Sequence, residues 1–353
     1  MKKIFLFTIA LAIWLGSFAQ IPAGYYDAAA GLSGLPLKVA LHNIIKNHTS
    51  ITYTPGLWTA FQTTDVKPNG KVWDIYSDIP GGTPPYEFTF VTNQCGSYTT
   101  EGNCYNREHS FPESWFSGAS PMYSDLFHIY PTDGWVNNKR SNYPYGDVGT
   151  ASWTSLNGSK LGTCNDSGYS STVFEPIDEY KGDIARSYFY MATRYYTEDS
   201  GWPGSPSVSG AEPLLWERNV LIAWALADTV SQKERDRNNA IYAIQHNRNP
   251  YIDHPEWILA IWGPTAGIST NDKSEFFRVY PIPAKDQVTI NDNMENEGIN
   301  KVEVYSTASV LVHSYTNCGK TFTIDLSDYA SGVYFTRIYT ANTVVQKKLL
   351  VVK

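Results

Sequence analysis

A carboxylate and an imidazole stand side by side in the segment N-R-E-H-S-F-P at residues 106–112. The imidazole of His109 has an ordinary pKa near neutrality, so it suits a base that takes a proton from water. The carboxylate of Glu108 offers the oxygen that a hard cation such as Mg²⁺ prefers. Neighbouring side chains on a strand point to opposite faces, so these two share a site only where the strand bends or ends. A Glu-His pair taken alone is more often an ordinary pair of polar surface residues. The functional hypothesis is that His109 is a general base and that Glu108 is a metal ligand.

A second polar segment, residues 125–146, supplies groups that the first one lacks. Asn137 can give a metal a second oxygen ligand, and the planar guanidinium of Arg140 can hold the reacting phosphate. Lys139 is a candidate substrate contact because it carries the same charge. By default such residues belong to a solvated turn. Together the two segments could hold one cation, one base and one phosphate, which phosphodiester hydrolysis requires.

Arg107 and Arg248 are further candidate substrate contacts, because arginine binds phosphate through two parallel hydrogen bonds. Each has a structural alternative. Arg107 can pair with Glu108 or Asp125, and Arg248 can belong to the network of a helix end and turn. For Arg248 the phosphate contact is the less favoured interpretation.

A zinc hydrolase built from His109, His128 and Asp125 is an alternative use of the same segments. The chain lacks the H-E-x-x-H pattern and other closely spaced ligands that are typical of such sites. His128 lies near Leu126 and Ile129, which favours a hydrogen-bonded histidine in the core. The zinc alternative therefore ranks below the magnesium site.

The composition is that of a globular protein. The chain has 353 residues, of which 42% are apolar, and it carries 25 Tyr, 15 Phe and 11 Trp. Its net charge of −7 counts against a protein that coats nucleic acid, which is usually basic, but a nuclease needs only a local basic groove. Two lysines, an apolar run and a small-x-small site within residues 1–19 predict a secretory signal peptide, and no later stretch predicts a membrane span.

The chain has four cysteines: Cys95, Cys104, Cys164 and Cys318. An exported protein can keep disulfides. Cys95 and Cys104 flank a turn rich in Gly, Ser and Thr, and a bridge there would pin the strand that carries Glu108. Four cysteines allow three full pairings, and the sequence does not choose among them.

Periodicity organises the predicted domain at residues 20–264. Apolar residues at helical spacing predict helices at 35–48, 182–196, 214–230, 231–248 and 253–262. Ser231 and Glu234 form a capping box at the start of the fourth helix. Alternation predicts strands at 72–79 and 86–92. Residues 146–172 are rich in Gly, Ser and Asn without a period, so we expect a long loop there.

The pattern changes after residue 264. A polar linker at 265–275 leads into a separate domain at 276–353. Seven short alternating segments predict a small all-β sandwich there. The chain is therefore predicted to be α+β, with a mainly helical domain followed by the sandwich.

The segments around Glu108 and Asn137 resemble the bacterial endonuclease I family. The resemblance runs in order through most of residues 20–265, in four long motifs: C-Y-N-R-E-H-S-F-P-E-S-W-F at 104–116, D-L-F-H-I-Y-P-T-D-G-W-V-N-N-K-R-S-N-Y-P-Y-G at 125–146, F-E-P-I-D-E-Y-K-G-D-I-A-R-S-Y-F-Y-M-A-T-R-Y at 174–195 and R-N-N-A-I-Y-A-I-Q-H-N-R-N-P-Y-I-D-H-P-E at 237–256. One departure is Phe127, where members of the family often carry histidine.

This resemblance implies a ββα-metal nuclease core embedded in the mainly helical domain. It also implies that His109, on a strand, activates water and that Glu108 and Asn137 bind Mg²⁺, with Ca²⁺ or Mn²⁺ as alternatives. Such enzymes cut DNA, and often RNA, with little sequence preference and leave 5′-phosphates. Arg140 matches the arginine of the family's V-N-x-x-R-S-N segment, and its phosphate contact is our own inference.

The end of the chain resembles the C-terminal sorting domain of type IX secretion substrates. The segments that carry this likeness are Y-P-I-P-A at 280–284 and G-V-Y-F at 332–335. It implies passage through the periplasm and export by the type IX secretion machinery, to a secreted or cell-surface location. The tail would then be removed or used for surface attachment.

We therefore expect a secreted, Mg²⁺-dependent and largely non-specific endonuclease. Two alternatives belong to other classes. In a surface binding protein or adhesin, the aromatic residues and the β tail would contact a polymer, and the Glu108–His109 pair would be inert. In a phosphodiesterase for small substrates, the same groups would act without a nucleic-acid groove.

Overall fold

The computed structural model describes residues 21–263, 277–293, 298–306, 311–340 and 344–353. The predicted signal peptide and the predicted linker lie outside these residues. Contacts divide the chain into two compact units, the first of Met1–Ala30 and Ala40–Pro255 and the second of Gly31–Val39 and Glu256–Lys353. No helix within the described residues is long and apolar enough to cross a membrane. The bounds of the predicted domains stay predictions.

The chain mixes helices and strands. The helices are α1 (Gly34–Ile45), α2 (Gly56–Thr64), α3 (Gly134–Arg140), α4 (Asp178–Arg194), α5 (Leu215–Ala227), α6 (Gln232–Gln245), α7 (Pro250–Asp253) and α8 (Glu256–Trp262). The strands of the first unit are β1 (Tyr105–His109), β2 (Ile129–Asp133), β3 (Val148–Thr154), β4 (Lys160–Cys164), β5 (Thr172–Glu175), β6 (Val208–Ser209) and β7 (Glu212–Pro213).

Strands β1 and β2 pair in antiparallel fashion, with Tyr105 opposite Asp133 and His109 opposite Ile129. Helix α3 follows β2 without a loop. The side chain of Asp133 accepts a hydrogen bond from the backbone N–H of Val136 at 2.9 Å, which caps the first turn of α3. This strand–strand–helix order holds the polar segments of the sequence in one place.

The core of the first unit lies around α4, whose last turns are buried on nearly every side. Ile184, Tyr188, Met191 and Tyr195, the predicted apolar face, are fully buried. The capping box of Ser231 and Glu234 is also present at the start of α6. The last predicted helix, at 253–262, is present as α8 from Glu256, and the short helix α7 precedes it.

The predicted long loop at 146–172 is wrong. Residues Val148–Thr154 and Lys160–Cys164 form the strands β3 and β4, which pair with β5 in an antiparallel sheet of order β3-β4-β5. Strand β3 is exposed along most of its length, so it needs no alternation of apolar and polar residues. Strand signals based on alternation fail for such a sheet.

The predicted strands at 72–79 and 86–92 are also wrong. Val72 makes only an isolated bridge with Val66. The chain then turns, because the side chain of Asp74 accepts the backbone N–H of Tyr76 at 2.8 Å. The turn directs the buried ring of Tyr76 toward Glu108, whose carboxylate it contacts.

A disulfide joins Cys95 and Cys104, and the other two cysteines are free and buried. The backbone N–H of Cys95 donates to the carbonyl of Tyr105 at 3.1 Å. The bridge therefore braces the start of β1. The sequence did not choose this pairing among the three that four cysteines allow.

The second unit carries the seven predicted strands of the tail. They are β8 (Phe277–Tyr280), β9 (Gln287–Asp292), β10 (Ile299–Ser306), β11 (Leu311–Gly319), β12 (Thr321–Asp325), β13 (Gly332–Tyr339) and β14 (Val344–Val351). They form two antiparallel sheets of order β11-β10-β13-β14 and β12-β9-β8. Val288 and Ile290 of one sheet share a core cluster with Val302 and Ile338 of the other. The all-β character of this region is confirmed.

A buried carboxyl group on α5 gives a stability prediction. Glu217 is 0% exposed, and within the described residues neither carboxylate oxygen has a hydrogen-bond partner. Burial raises the pKa of Glu217 well above its ordinary value, against the lowering effect of Arg140. The folded state therefore holds this proton more tightly than the unfolded state, and Glu217 costs stability as pH rises above the unfolded pKa.

We expect Glu217→Leu to raise the free energy of unfolding at pH 7 by about 1–3 kcal/mol. The gain should shrink toward pH 4, where Glu217 is protonated in both states. Urea unfolding across that pH range measures it. Glu179→Leu, at an exposed glutamate, should change stability by less than about 1 kcal/mol. A loss of stability in Glu217→Leu at every pH would contradict this account.

Candidate active site

Glu108 lies on β1 and is 2% exposed. Its Oε1 atom accepts hydrogen bonds from the hydroxyl of Tyr76 and from Nη1 of Arg140, both at 3.0 Å. The hydroxyl of Tyr145 lies 3.5 Å from the same oxygen. Burial raises the pKa of Glu108 to about 7, and the nearby Arg140 opposes that shift. No hydrogen bond from the described residues reaches Oε2, so this oxygen is available to a cation.

Arg140, at the end of α3, is 1% exposed. Besides Glu108, it binds the carbonyl of His109 at 2.9 Å through Nη1 and the carbonyl of Ser110 at 2.6 Å through Nη2. Its guanidinium also stacks over the ring of Tyr145, with 4.4 Å between guanidinium carbon and ring centre. The predicted phosphate contact does not fit this geometry, because the guanidinium is buried and both of its Nη atoms bind groups inside the protein. Arg140 instead holds the end of β1 and the carboxylate of Glu108.

His109 is the last residue of β1 and is 8% exposed. Its Nε2 atom lies 3.3 Å from the backbone carbonyl oxygen of Tyr123. A carbonyl can only accept, so Nε2 carries the proton and Nδ1 is the basic nitrogen. Burial lowers the pKa of His109 to about 3, with a contribution from His128. The imidazole is therefore neutral near pH 7, which is the form that can accept a proton.

Glu108 and His109 have different surroundings, as the alternation along a strand requires. The carboxylate faces Tyr76, Tyr145 and Arg140. The imidazole instead packs among aromatic rings, with ring centres of Tyr53 and Tyr123 5.9 Å and 5.5 Å away. The pair can therefore serve one site only at the end of β1, where the strand stops.

Asn137 lies on α3 and is partly buried. Its Nδ2 atom donates to the backbone carbonyl of Arg107 at 3.3 Å, next to Glu108 in the chain. This bond orients the carboxamide and leaves Oδ1 without a hydrogen bond from the described residues. Glu108 and Asn137 thus each keep one oxygen for a cation, a donor set that suits Mg²⁺ with retained waters.

The three predicted substrate contacts lie in different settings. Among the described residues, Arg107 forms an ion pair with neither Glu108 nor Asp125. Its Nη1 atom donates to the carbonyl of Tyr53 at 3.0 Å and to Oγ1 of Thr54 at 2.7 Å. Lys139 is partly exposed, with its ammonium 5.0 Å from the ring centre of Trp135.

No contact among the described residues brings Arg248 to this group. It is buried and binds both carboxylate oxygens of Asp253, at 2.6 Å and 2.8 Å. Nη2 of Arg248 also donates to Asn239. This is the helix-end network that the sequence offered as the alternative, and the geometry favours it over a phosphate contact.

His128 and Asp125 do not form a metal site with His109. His128 is fully buried, and its Nε2 atom lies 2.8 Å from the carbonyl of Met122. Asp125 accepts hydrogen bonds from the hydroxyls of Tyr190 and Tyr195, both at 2.8 Å. Within the described ranges, no three His, Cys, Asp or Glu side chains gather to hold a metal. His128 is a hydrogen-bonded core histidine, as predicted.

Sequence reasoning missed the tyrosines that surround the site. Tyr76 and Tyr145 hydrogen-bond to each other at 2.8 Å beside Glu108, and Tyr53 and Tyr123 stack beside His109. They come from four separate segments, and a high aromatic content does not say which rings meet. Of the four, only Tyr145 lies in a segment that the sequence pattern marks as a candidate site, the second polar segment.

Comparisons with known proteins indicate the family. The chain matches the model of Endonuclease I over residues 33–256 and that of the Secretion system C-terminal sorting domain over residues 278–353. It is 36% identical over 248 residues to an extracellular ribonuclease of Bacillus amyloliquefaciens, covering 67% of this chain and 78% of that protein. An extracellular ribonuclease of Bacillus subtilis is 34% identical with the same coverage. A periplasmic deoxyribonuclease of Aeromonas hydrophila is 27% identical over 134 residues, 37% of this chain and 48% of that protein.

These matches define a nuclease, an enzyme that hydrolyses phosphodiester bonds. The chain belongs to the endonuclease I family and carries a type IX sorting domain at its end. Members of this family are generally metal-dependent nucleases. The sorting domain and the extracellular relatives indicate secretion or a cell-surface location.

Proposed function

We propose that this chain is a secreted, Mg²⁺-dependent and largely sequence-non-specific endonuclease that cleaves DNA and RNA and leaves 5′-phosphates. The observation that carries the proposal is a neutral buried imidazole at the end of a strand whose adjacent carboxylate keeps one oxygen free. The order β1–β2–α3 supports a ββα-metal core. Relatives named for ribonuclease and for deoxyribonuclease activity support both nucleic acids as substrates.

In the proposed mechanism, Nδ1 of His109 accepts the proton of the attacking water. The carbonyl of Tyr123 accepts Nε2–H, so it orients the ring and stabilises the imidazolium that forms. Glu108 Oε2 and Asn137 Oδ1 would hold Mg²⁺. When bound, the ion supplies positive charge for the phosphate and for the departing 3′-oxygen. Arg140 holds the Glu108 carboxylate in place through Oε1, the oxygen that does not face the proposed ion.

Lack of sequence preference follows if the substrate is held mainly through phosphate. Lys139, which is partly exposed on α3, stays the candidate for such a contact. Arg107 has no hydrogen bond from its Nη2 atom to the described residues, so that atom is a second candidate. We do not extend this role to Arg140 or Arg248, which are buried in internal ion pairs.

Metal dependence is the direct test. The mature full chain should nick plasmid DNA and degrade RNA in Mg²⁺, lose both activities in excess EDTA and regain them when Mg²⁺ is added back. Asn137→Ala should raise the Mg²⁺ concentration for half-maximal rate by at least roughly tenfold. Asn138→Ala, at the exposed neighbour on the same helix, should not. Cleavage that survives EDTA, or equal Mg²⁺ dependence in the two variants, would contradict the proposal.

A further inference from the structure

Four flat side chains form a column beside His109. The guanidinium carbon of Arg107 lies 3.7 Å from the ring centre of Tyr53 and 4.4 Å from that of Trp58. The rings of Tyr53 and Tyr123 are stacked, with 4.3 Å between centres and 22° between planes. Two flat groups this close to one ring cannot share a face, because they would overlap. The order of the column is therefore Trp58, Arg107, Tyr53 and Tyr123.

The column ends at Tyr123, which is partly exposed. One face of this ring is covered by Tyr53. Among the described residues, no cation or further ring stacks on its other face. The ring of His109 is nearly parallel to that of Tyr123, with 21° between planes and 5.5 Å between centres. Its centre is also only 5.9 Å from that of Tyr53, so it lies beside the Tyr53–Tyr123 pair and not on the outer face of Tyr123. The outer face of Tyr123, on which no ring or cation of the described residues stacks, is thus the next position of the column, directly beside the proposed base.

We infer that the outer face of Tyr123 is a subsite for one unpaired nucleobase of the strand being cut. The inference rests on the proposed function, since it places the nucleotide next to the phosphate attacked at His109. Aromatic rings bind bases of any sequence, because every base has a flat face. The subsite would therefore add affinity without adding sequence preference.

The subsite favours single-stranded nucleic acid over duplex. A base inside a duplex already has neighbours stacked on both faces, so it must be splayed out before it can stack on Tyr123. Stacking on the ring of Tyr123 does not require a 2′-hydroxyl. RNA loops and single-stranded DNA should both use it.

An abasic position in a single-stranded DNA oligonucleotide tests the subsite. In Mg²⁺, wild-type protein should cut one of the two phosphates that flank the abasic position roughly tenfold more slowly than in the intact oligonucleotide. Tyr123→Leu should cut that phosphate equally in both. Tyr123→Phe, which keeps the ring, should retain the difference, and so should Tyr143→Leu, at an exposed tyrosine elsewhere.

The outcomes separate the subsite from the nuclease itself. A wild-type protein that cuts but shows no deficit at the abasic position overturns the subsite and leaves the proposed function intact. So does a deficit that persists in Tyr123→Leu. A uniform fall of kcat on duplex and single strand in Tyr123→Leu would show that the residue only positions His109 through its carbonyl, which also overturns the subsite.

A binding measurement tests the subsite even when the protein does not cleave the nucleic acid. In EDTA, fluorescence anisotropy should show that Tyr123→Leu binds the intact single strand roughly tenfold more weakly than wild type does. The affinity for a duplex of the same sequence should not change. Equal affinity of wild type and Tyr123→Leu for the single strand contradicts the inference, whatever the cleavage assay shows.

Discussion

Replacing His109 with glutamine should lower kcat on plasmid DNA and on RNA by roughly 10²- to 10⁴-fold. The glutamine amide can still donate to the Tyr123 carbonyl, where the Nε2 atom of His109 now lies at 3.3 Å. It has no nitrogen that accepts a proton, so only the base is lost. His109→Ala should show the same loss. Initial rates over a range of substrate concentrations separate kcat from KM, which should change little.

The control for this experiment is His313→Ala, an exposed histidine in the second unit, which should keep the full rate. Circular dichroism and thermal melting confirm that the His109 variants are folded. Because burial lowers the pKa of His109 to about 3, its protonation should not limit the wild-type rate between pH 5 and pH 8. A wild-type rate in the His109→Gln protein would contradict the assignment of His109 as the general base.

Replacing Arg140 with alanine should lower the free energy of unfolding by about 3–5 kcal/mol. The variant leaves the buried carboxylate of Glu108 without its cation, and it leaves the carbonyls of His109 and Ser110 without their donors. The pKa of Glu108 should then rise further above its unfolded value. Since such a group costs stability as pH rises, the defect should be larger at pH 8 than at pH 5.

Urea unfolding at the two pH values measures this effect. Glu108→Gln in the Arg140→Ala background should recover part of the lost stability, because a neutral amide needs no cation. Lys139→Ala is the matched control on the same helix and should cost less than about 1 kcal/mol. If Arg140→Ala were as stable as Lys139→Ala, the internal role of Arg140 would be wrong.

Much of the fold could be predicted because its signals are local. Apolar spacing located α1, α4, α5 and α6, and the pair Ser231 and Glu234 marked a helix start that the structure contains. Alternation located the strands of the tail, since each must bury one face in a shared core. The sheet of β3, β4 and β5 was not predicted, because an exposed strand such as β3 carries no alternation of apolar and polar residues.

Part of the candidate site could be located in the sequence for a different reason. Glu108, His109 and Asn137 fall in motifs long enough to identify the family, and the structure puts them on β1 and α3. The roles of the cations could not be predicted. Charge alone suggests a phosphate contact for both Lys139 and Arg140, although one is partly exposed and the other is 1% exposed.

The sequence by itself determined the chemistry on offer at 106–112, namely a carboxylate and an imidazole at the end of one strand. The tertiary structure alone decided their protonation and support, because burial and neighbours shift a pKa and both depend on distant segments. Tyr76 and Arg140 reach Glu108 from a turn and a helix. Tyr53 and Tyr123 pack beside His109 from two other segments.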